Sequence, residues 1–175
     1  EKLDFFNLHF KNGNFQIAAI EIANSTDMGE ESRLIQNFKV SNYVKSYFKK
    51  LKNIIVFSDQ MNRIVILSND EKIDLYKICM RLKKKITKDL DCTLNTGIGN
   101  IKENIAEVRS SYMEAVDALN YHIAVGNNNI IHYRDVQFKE SKSDSDTMHL
   151  LNELKFYLKS GLEDDAINTV KEVFS

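Results

Sequence analysis

The chain has 175 residues, 43% hydrophobic and 28% charged, with a formal net charge of −1. That length suits one domain, or one domain with an appendage, and buries a core without staples. The near-zero net charge excludes a global basic field that would draw nucleic acid, and no apolar run reaches the roughly 18 residues of a membrane span.

The first residues carry no secretory n-region and h-region. Glu1 opens the chain, and Ser175 closes it inside a helical pattern, so an excised piece of a longer cytoplasmic protein is expected. Cys79 and Cys92 sit in apolar-patterned segments, which reads as buried thiols in a reducing compartment rather than a disulfide. There is no proline, so Asn and Gly mark the boundaries.

Residues 1–14 place Leu3, Phe5, Phe6, Leu8 and Phe10 before an Asn12-Gly13-Asn14 turn signal, a lead-in expected to cover one edge of the core. Phe15–Ala23 is nearly continuous in apolar character, as in a strand covered on both faces. A polar loop, 24–30, leads to a helix over 31–51 with Val40, Val44, Tyr47, Phe48 and Leu51 on its stripe. Asn53–Ser58 and Arg63–Ser68, rich in β-branched residues, form a hairpin around Asp59-Gln60-Met61-Asn62. Ser68-Asn69-Asp70 supplies an N-cap for a helix over 70–90, with Leu75, Cys79, Leu82, Ile86 and Leu90 inward and Lys83-Lys84-Lys85 on a solvated outer face.

Cys92, Leu94, Thr96 and Ile98 alternate along the next strand. Gly97 and Gly99 take the opposite parity and leave that face bare for close approach. A long helix follows, with Ile105, Val108, Tyr112, Ala115, Leu119 and Ile123 on its stripe. Gly126 is expected in the left-handed conformation at its end, and Ile130–Tyr133 is a short exit strand. The order gives an α/β (α+β) ferredoxin-like βαββαβ sandwich with an antiparallel or mixed sheet over residues 1–136. Residues 137–175 then read as a polar linker and a helical hairpin turning at Ser160-Gly161.

The strand ending Gly97-Ile98-Gly99, the Ser111-Tyr112…Glu114-Ala115…Ala118-Leu119 helix and the Gly126-Asn127…Ile130-Ile131…Tyr133 exit resemble the nucleotide-cyclase palm of the GGDEF family. They are closer to the degenerate GGDEF-like domains of YesN-type response regulators with an AraC-type helix-turn-helix, and of CdaR/PucR-type regulators. An active member carries Gly-Gly-Asp/Glu-Glu-Phe at the central hairpin. Here the loop is Asp59-Gln60-Met61-Asn62, with Arg63 opening the second strand, and the glycines that admit a nucleotide are gone. A two-metal site needs acids on the first strand, which offers Glu21, with Ala23 and Asn24 after it. Asp27 and Asp59 have no spacing that forces them together.

Other groups carry no chemistry of their own. Gly97-Ile98-Gly99 lacks the further glycine and Lys-Ser/Thr of a phosphate loop. His9, His122, His132 and His149 have no metal-ligand spacing. Ser110 and Ser111 are not in a nucleophile elbow, and Tyr112 reads as a core aromatic. Lys45, Lys49, Lys50 and Lys52 sit near a helix C-terminus, where the dipole favours them.

The sequence therefore leads to the expectation of no enzyme, no catalytic, cofactor-binding or metal site, and no cofactor. The resemblance implies a signal-relay and dimerisation domain of a bacterial AraC-family regulator in a two-component system. Its partners would be a second copy, a sensor or receiver upstream and a helix-turn-helix downstream, with DNA reached only through that absent module and no membrane contact. The alternative is a ligand-sensing domain that holds a nucleotide or other small molecule in a cyclase-like cleft.

Overall fold

A computed structural model describes residues 13–23, 29–51, 53–140, 153–154, 157–158 and 163–173. Residues 1–12 of the expected lead-in, residues 24–28 of the expected loop and most of the segment 141–162 lie outside the described residues. In chain order the elements are β1 (Phe15–Ile22), α1 (Glu30–Phe48), β2 (Ile54–Ser58), β3 (Ile64–Asn69), α2 (Leu75–Leu90) and β4 (Leu94–Ile98). A 3₁₀ turn, Ile105–Glu107, then leads to α3 (Val108–Asn120), α4 (His122–Val125), β5 (Ile130–His132), α5 (Tyr133–Glu140) and α6 (Glu163–Val173). The chain divides into two compact units, Glu1–Arg134 and Asp135–Ser175. Helix α5 runs on through residues 137–140, where the composition suggests a linker.

The sheet order is β2-β3-β1-β4-β5. β1 lies at the centre, antiparallel to β3 and to β4, with Ile20 opposite both Ile64 and Thr96. β2 and β3 form the antiparallel hairpin, and β5 adds in parallel to β4. The βαββαβ sandwich is thus present, extended by α3 and a fifth strand that makes the sheet mixed.

Strand alternation sorts the core into two layers. On one face Ala18, Ile20, Ile22, Ile64, Ile66, Leu94 and Ile98 meet Val40, Val44 and Phe48 of α1 and Leu75, Cys79, Leu82 and Ile86 of α2. On the other, Phe15, Ile17, Ala19, Val65 and Leu67 meet Ala115 and Leu119 of α3. Both cysteines are free and buried, and burial pushes the Cys79 thiol up to about 12, so it is an unreactive core group.

Helix α3 can lie so close because Gly97 and Gly99 face it. A Cβ on Gly97 would stand 2.8 Å from Leu119 Cα and closer still to the Ala115 carbonyl. One on Gly99 would stand 2.8 Å from Ser111 Oγ and closer still to the Ser111 carbonyl. Ser111 is fully buried here. Its hydroxyl donates to Asn100 O at 2.8 Å and accepts from Ile17 N at 3.1 Å, tying the helix to β1 and to the turn after β4.

Several boundaries move for local reasons. Helix α2 starts at Leu75, because Asp74, not Ser68-Asn69-Asp70, caps it by accepting from Lys77 N at 3.0 Å. Ser68 and Asn69 belong to β3, and the Asp70 side chain instead accepts from Lys72 N in a turn. Cys92 precedes β4 rather than opening it. Helix α1 stops at Phe48, leaving Leu51 exposed. The long helix after β4 breaks at Tyr121, so Ile123 is exposed rather than on the stripe. Gly126 has a positive φ of 87 but an extended ψ of 174, not the left-handed helical pair expected.

The second unit is described chiefly by α6. Ala166 and Thr169 are buried on its inner side and Val170 is exposed. Thr169 Oγ1 donates to Asp165 O at 3.0 Å.

Gly97→Ala puts a methyl against helix backbone, which cannot rotate away. A loss of about 3 kcal/mol is expected from overpacking. Gly29→Ala, with open space and no positive φ, should stay within about 0.5 kcal/mol. Urea midpoints of the two variants measure the difference, and equal midpoints would contradict the close approach.

Candidate functional site at the β2–β3 hairpin

The loop Asp59–Arg63 closes on itself. Asp59 Oδ1 accepts from Met61 N at 2.9 Å and from Arg63 N at 3.0 Å, and Asn62 takes a positive φ of 60. Aspartate stabilises such turns by standing in for a backbone acceptor. Its other oxygen, Oδ2, accepts from Arg63 Nε at 2.6 Å and from the Tyr112 hydroxyl at 2.7 Å. Arg63 Nη2 donates to that hydroxyl at 2.9 Å. Tyr112 comes from α3, so the triad fastens the hairpin to the helix on the second sheet face. As expected, Tyr112 packs against the core, half-buried, and the clamp supplies the partners of its hydroxyl.

Burial alone would raise the Asp59 carboxyl, but hydrogen bonds from Tyr112 and Arg63 and the guanidinium charge outweigh it and hold the group below its ordinary value. Burial would lower Arg63, yet Asp59 holds it above its ordinary range, and the charge of Glu21 on β1 acts in the same direction. Burial and the Asp59 hydrogen bond raise the Tyr112 phenol. The Asp59–Arg63 pair is shielded, with side chains 11% and 14% exposed, so it is screened less by salt than a surface pair.

The chemistry of a cyclase would call for divalent cations at this end. Both Asp59 oxygens are taken by four protein donors, and Glu21 is the other described acid beside the hairpin. Among the described residues no group of three or more His, Cys, Asp or Glu is placed to hold a metal. The described residues do not fit a pair of cations. Asp27 and Asn24 lie outside the described residues.

The remaining candidates are scattered. His122 Nδ1 lies 2.7 Å from Leu119 O, and His132 Nε2 lies 3.4 Å from Gln16 Nε2 near β5; His9 and His149 are outside the described residues. Ser110 Oγ donates to Glu114 at 3.3 Å. Two networks gave no sequence signal. Buried Asn95 holds the 126–129 loop, donating to Asn127 Oδ1 at 3.0 Å and accepting from Asn128 N at 2.7 Å. Glu114 accepts from Lys102 Nζ at 2.6 Å and from Asn100 N at 2.8 Å, fixing the turn after β4. Lys83, expected in solvent, donates to Asn128 O. A polar cleft of about 650 Å³ lies at the opposite end of β2 and β3 from the hairpin, lined by Asn14, Asn53, Asn69 and Asp70 among others.

Tyr112→Phe removes a hydroxyl that serves two charged partners, and a loss of about 2 kcal/mol is expected. The lowered Asp59 carboxyl contributes stability at neutral pH that disappears as pH falls below about 4. Asp59→Asn should abolish that acid-sensitive part. Urea denaturation at a series of pH values measures both, and an Asp59→Asn protein with the wild-type acid profile would refute the clamp.

The sequence model of the GGDEF-like domain matches residues 6–121. No curated protein matches the chain. Among solved structures, the active GGEEF domain of a diguanylate cyclase from Vibrio cholerae is similar at a TM-score of 0.57 and 10% identity, over 75% of this chain and 87% of that one. The coiled coil and GGDEF domain of DgcB from Caulobacter crescentus, in complex with c-di-GMP, has a TM-score of 0.57 and 11% identity, over 69% of this chain and 70% of that one. A microbial GGDEF domain described with bis-(3′,5′)-cyclic di-GMP has a TM-score of 0.55 and 11% identity, over 69% and 77%. At such identities the likeness is one of fold. It nevertheless corrects the expectation that the chain is no enzyme. The backbone shared over three quarters of the chain includes that of an active domain, and a changed hairpin loop is no ground for denying activity. With 116 of its 175 residues matched and the palm fold in place, the chain belongs to the family of GGDEF-like domains.

Proposed function

We propose that this domain relays a signal within a bacterial AraC-family, YesN-type transcription regulator of a two-component system, and that it does so as a homodimer. The neighbouring modules on the same chain are a sensor or receiver before it and a helix-turn-helix after it. The observation that supports dimerisation is an apolar strip on the first turns of α1. Leu34, Ile35 and Phe38 are 56%, 49% and 68% exposed, at i, i+1 and i+4 on one side of the helix. Both sheet faces are covered by helices of the same chain, α1 and α2 on one and α3 on the other, so the apolar surface that asks for a partner is this strip. Two copies of one helix meeting across a two-fold axis satisfy it with a self-complementary contact. The relay has a physical route in the Asp59–Arg63–Tyr112 clamp, which couples the hairpin to α3.

Binding of a nucleotide or other small molecule is a second reading. The polar cleft at Asn14, Asn53 and Asn69 has a volume within the ~300–1,000 Å³ of small-ligand sites.

Sedimentation equilibrium should give a dimer for the wild type and a monomer for the Leu34→Asp/Phe38→Asp variant, which keeps the wild-type far-UV circular dichroism because both side chains are exposed in the single chain. A monomeric wild type at every concentration would overturn the α1 dimer. Two helix-turn-helix patterns in the sequence after Ser175 would support the regulator context, and a different module there would refute it. In thermal-shift measurements with GTP, cyclic dinucleotides and Mg²⁺, a ligand at about 100 times its Kd adds about 2.7 kcal/mol. No shift at high concentration would rule out the second reading.

A further inference from the structure

The net charge of −1 conceals a segregation that appears once the chain is folded. Residues 33–51 and 75–90, the bulk of α1 and α2, hold eleven Lys and Arg and one acid, Asp89. The rest of the chain holds thirteen Lys and Arg against twenty-four Asp and Glu. Asp89 accepts from Tyr43 Oη at 2.6 Å, and Lys85 Nζ lies 5.5 Å from the Tyr47 ring centroid. These two contacts make α1 and α2 antiparallel neighbours on one sheet face, and bring two basic runs, which are separate in sequence, into a single layer. Lys45, Lys49, Lys50, Arg81, Lys84 and Lys88 are all exposed. None is paired with a carboxylate among the described residues.

We infer that the outer surface of α1 and α2 docks on the phosphate backbone of double-stranded nucleic acid. Arg81, Lys84 and Lys88 recur at helical spacing and form a row about 10 Å long, with Lys77 one turn before them ion-paired to Asp74 at 3.1 Å. Lys45 and Lys49 form a second row on α1, one helix spacing of roughly 8–10 Å away. Two such rows are comparable in separation with the ~12 Å major groove and the phosphates on its rims. Lysine dominates both rows, and it meets phosphate as a point charge without reading bases. A lipid surface fits less well, because an interfacial helix inserts an apolar face. Here Leu75, Cys79, Leu82 and Ile86 of α2 fill the core with that face, and the exposed apolar strip of α1, Leu34 to Phe38, lies about two turns before Lys45 rather than among the lysines. The acids of the α3 layer, such as Glu107 and Asp117, lie beyond the sheet, roughly two layers of ~10 Å away. That exceeds the ~8 Å screening length at physiological salt. The inference stands on this charge arrangement and not on the α1 dimer or the regulator context. It adds a contact to the one that the sequence reading left to a downstream module alone.

Fluorescence anisotropy of the intact chain with a labelled duplex of arbitrary sequence tests it. Binding is expected, with affinity falling on the order of a hundredfold between about 50 and about 200 mM salt, as four or five phosphate contacts require. The variant Lys49→Gln/Arg81→Gln/Lys84→Gln/Lys88→Gln should bind about tenfold or more weakly and lose about four from the salt slope. Its thermal midpoint should match the wild type, and Glu107→Gln should bind the duplex as the wild type does. No binding at the lower salt, or undiminished binding by the quadruple variant, overturns the inference. So does binding to phosphatidylserine vesicles without binding to duplex, which would assign the surface to anionic lipid.

Discussion

Helix α3 rests on the bare backbone of β4, because Gly97 and Gly99 put no side chain between them. Close packing fixes a helix in all directions at once. This one brings Ala115 and Leu119 onto Ile17, Ala19 and Val65, Ser111 between Ile17 N and Asn100 O, and Tyr112 over the hairpin. The second sheet face is closed from within the chain as a result. β5 is also placed by it, since the chain must leave α3 and return beside β4, which it does in parallel.

The hairpin shows a scaffold adapting to a new loop. Asp59 is held by four donors and offsets the charge of Arg63 within a shielded pair, where one partner alone would be costly. The clamp therefore behaves as a unit, and removing one member strands the others. It also explains why Asp59 and Arg63 occur together, as well as why a tyrosine on a predominantly apolar stripe ends only half-buried. The backbone beneath is that of the cyclase palm, so the loop's departure from the Gly-Gly-acidic signature describes the loop and does not decide what the domain can catalyse.

Much of the fold was legible because periodicity is local. The strands at 15–22, 54–58 and 64–69 announced themselves by β-branched runs, and the parity of Gly97 and Gly99 foretold the close approach on β4. The errors arose where one interaction outcompeted another. Ser68-Asn69-Asp70 is a good cap in isolation, but β3 pairs Ser68 with Gln16 and Asn69 with Phe15, so Asp74 caps instead. Ile123 continues the apolar period of α3, but the helix breaks at Tyr121 before it is used. The hairpin clamp was hidden because its parts lie 49 and 53 residues apart. The basic layer was hidden for the same reason, since net charge carries no information about which side of a sheet the charges occupy.

The central place of β1 has a consequence for the order in which the domain can form. β1 is made first among the described strands, yet its neighbours are β3, ending at Asn69, and β4, ending at Ile98. At about 5–20 residues per second, synthesis takes seconds to reach β3, the partner of one edge of β1, and longer to reach β4, the partner of the other. Until β4 is made, the apolar strand Phe15–Ile22 has a permanent partner on at most one edge. The sheet thus closes around its first-made strand only after the distant half of the same sheet has been translated.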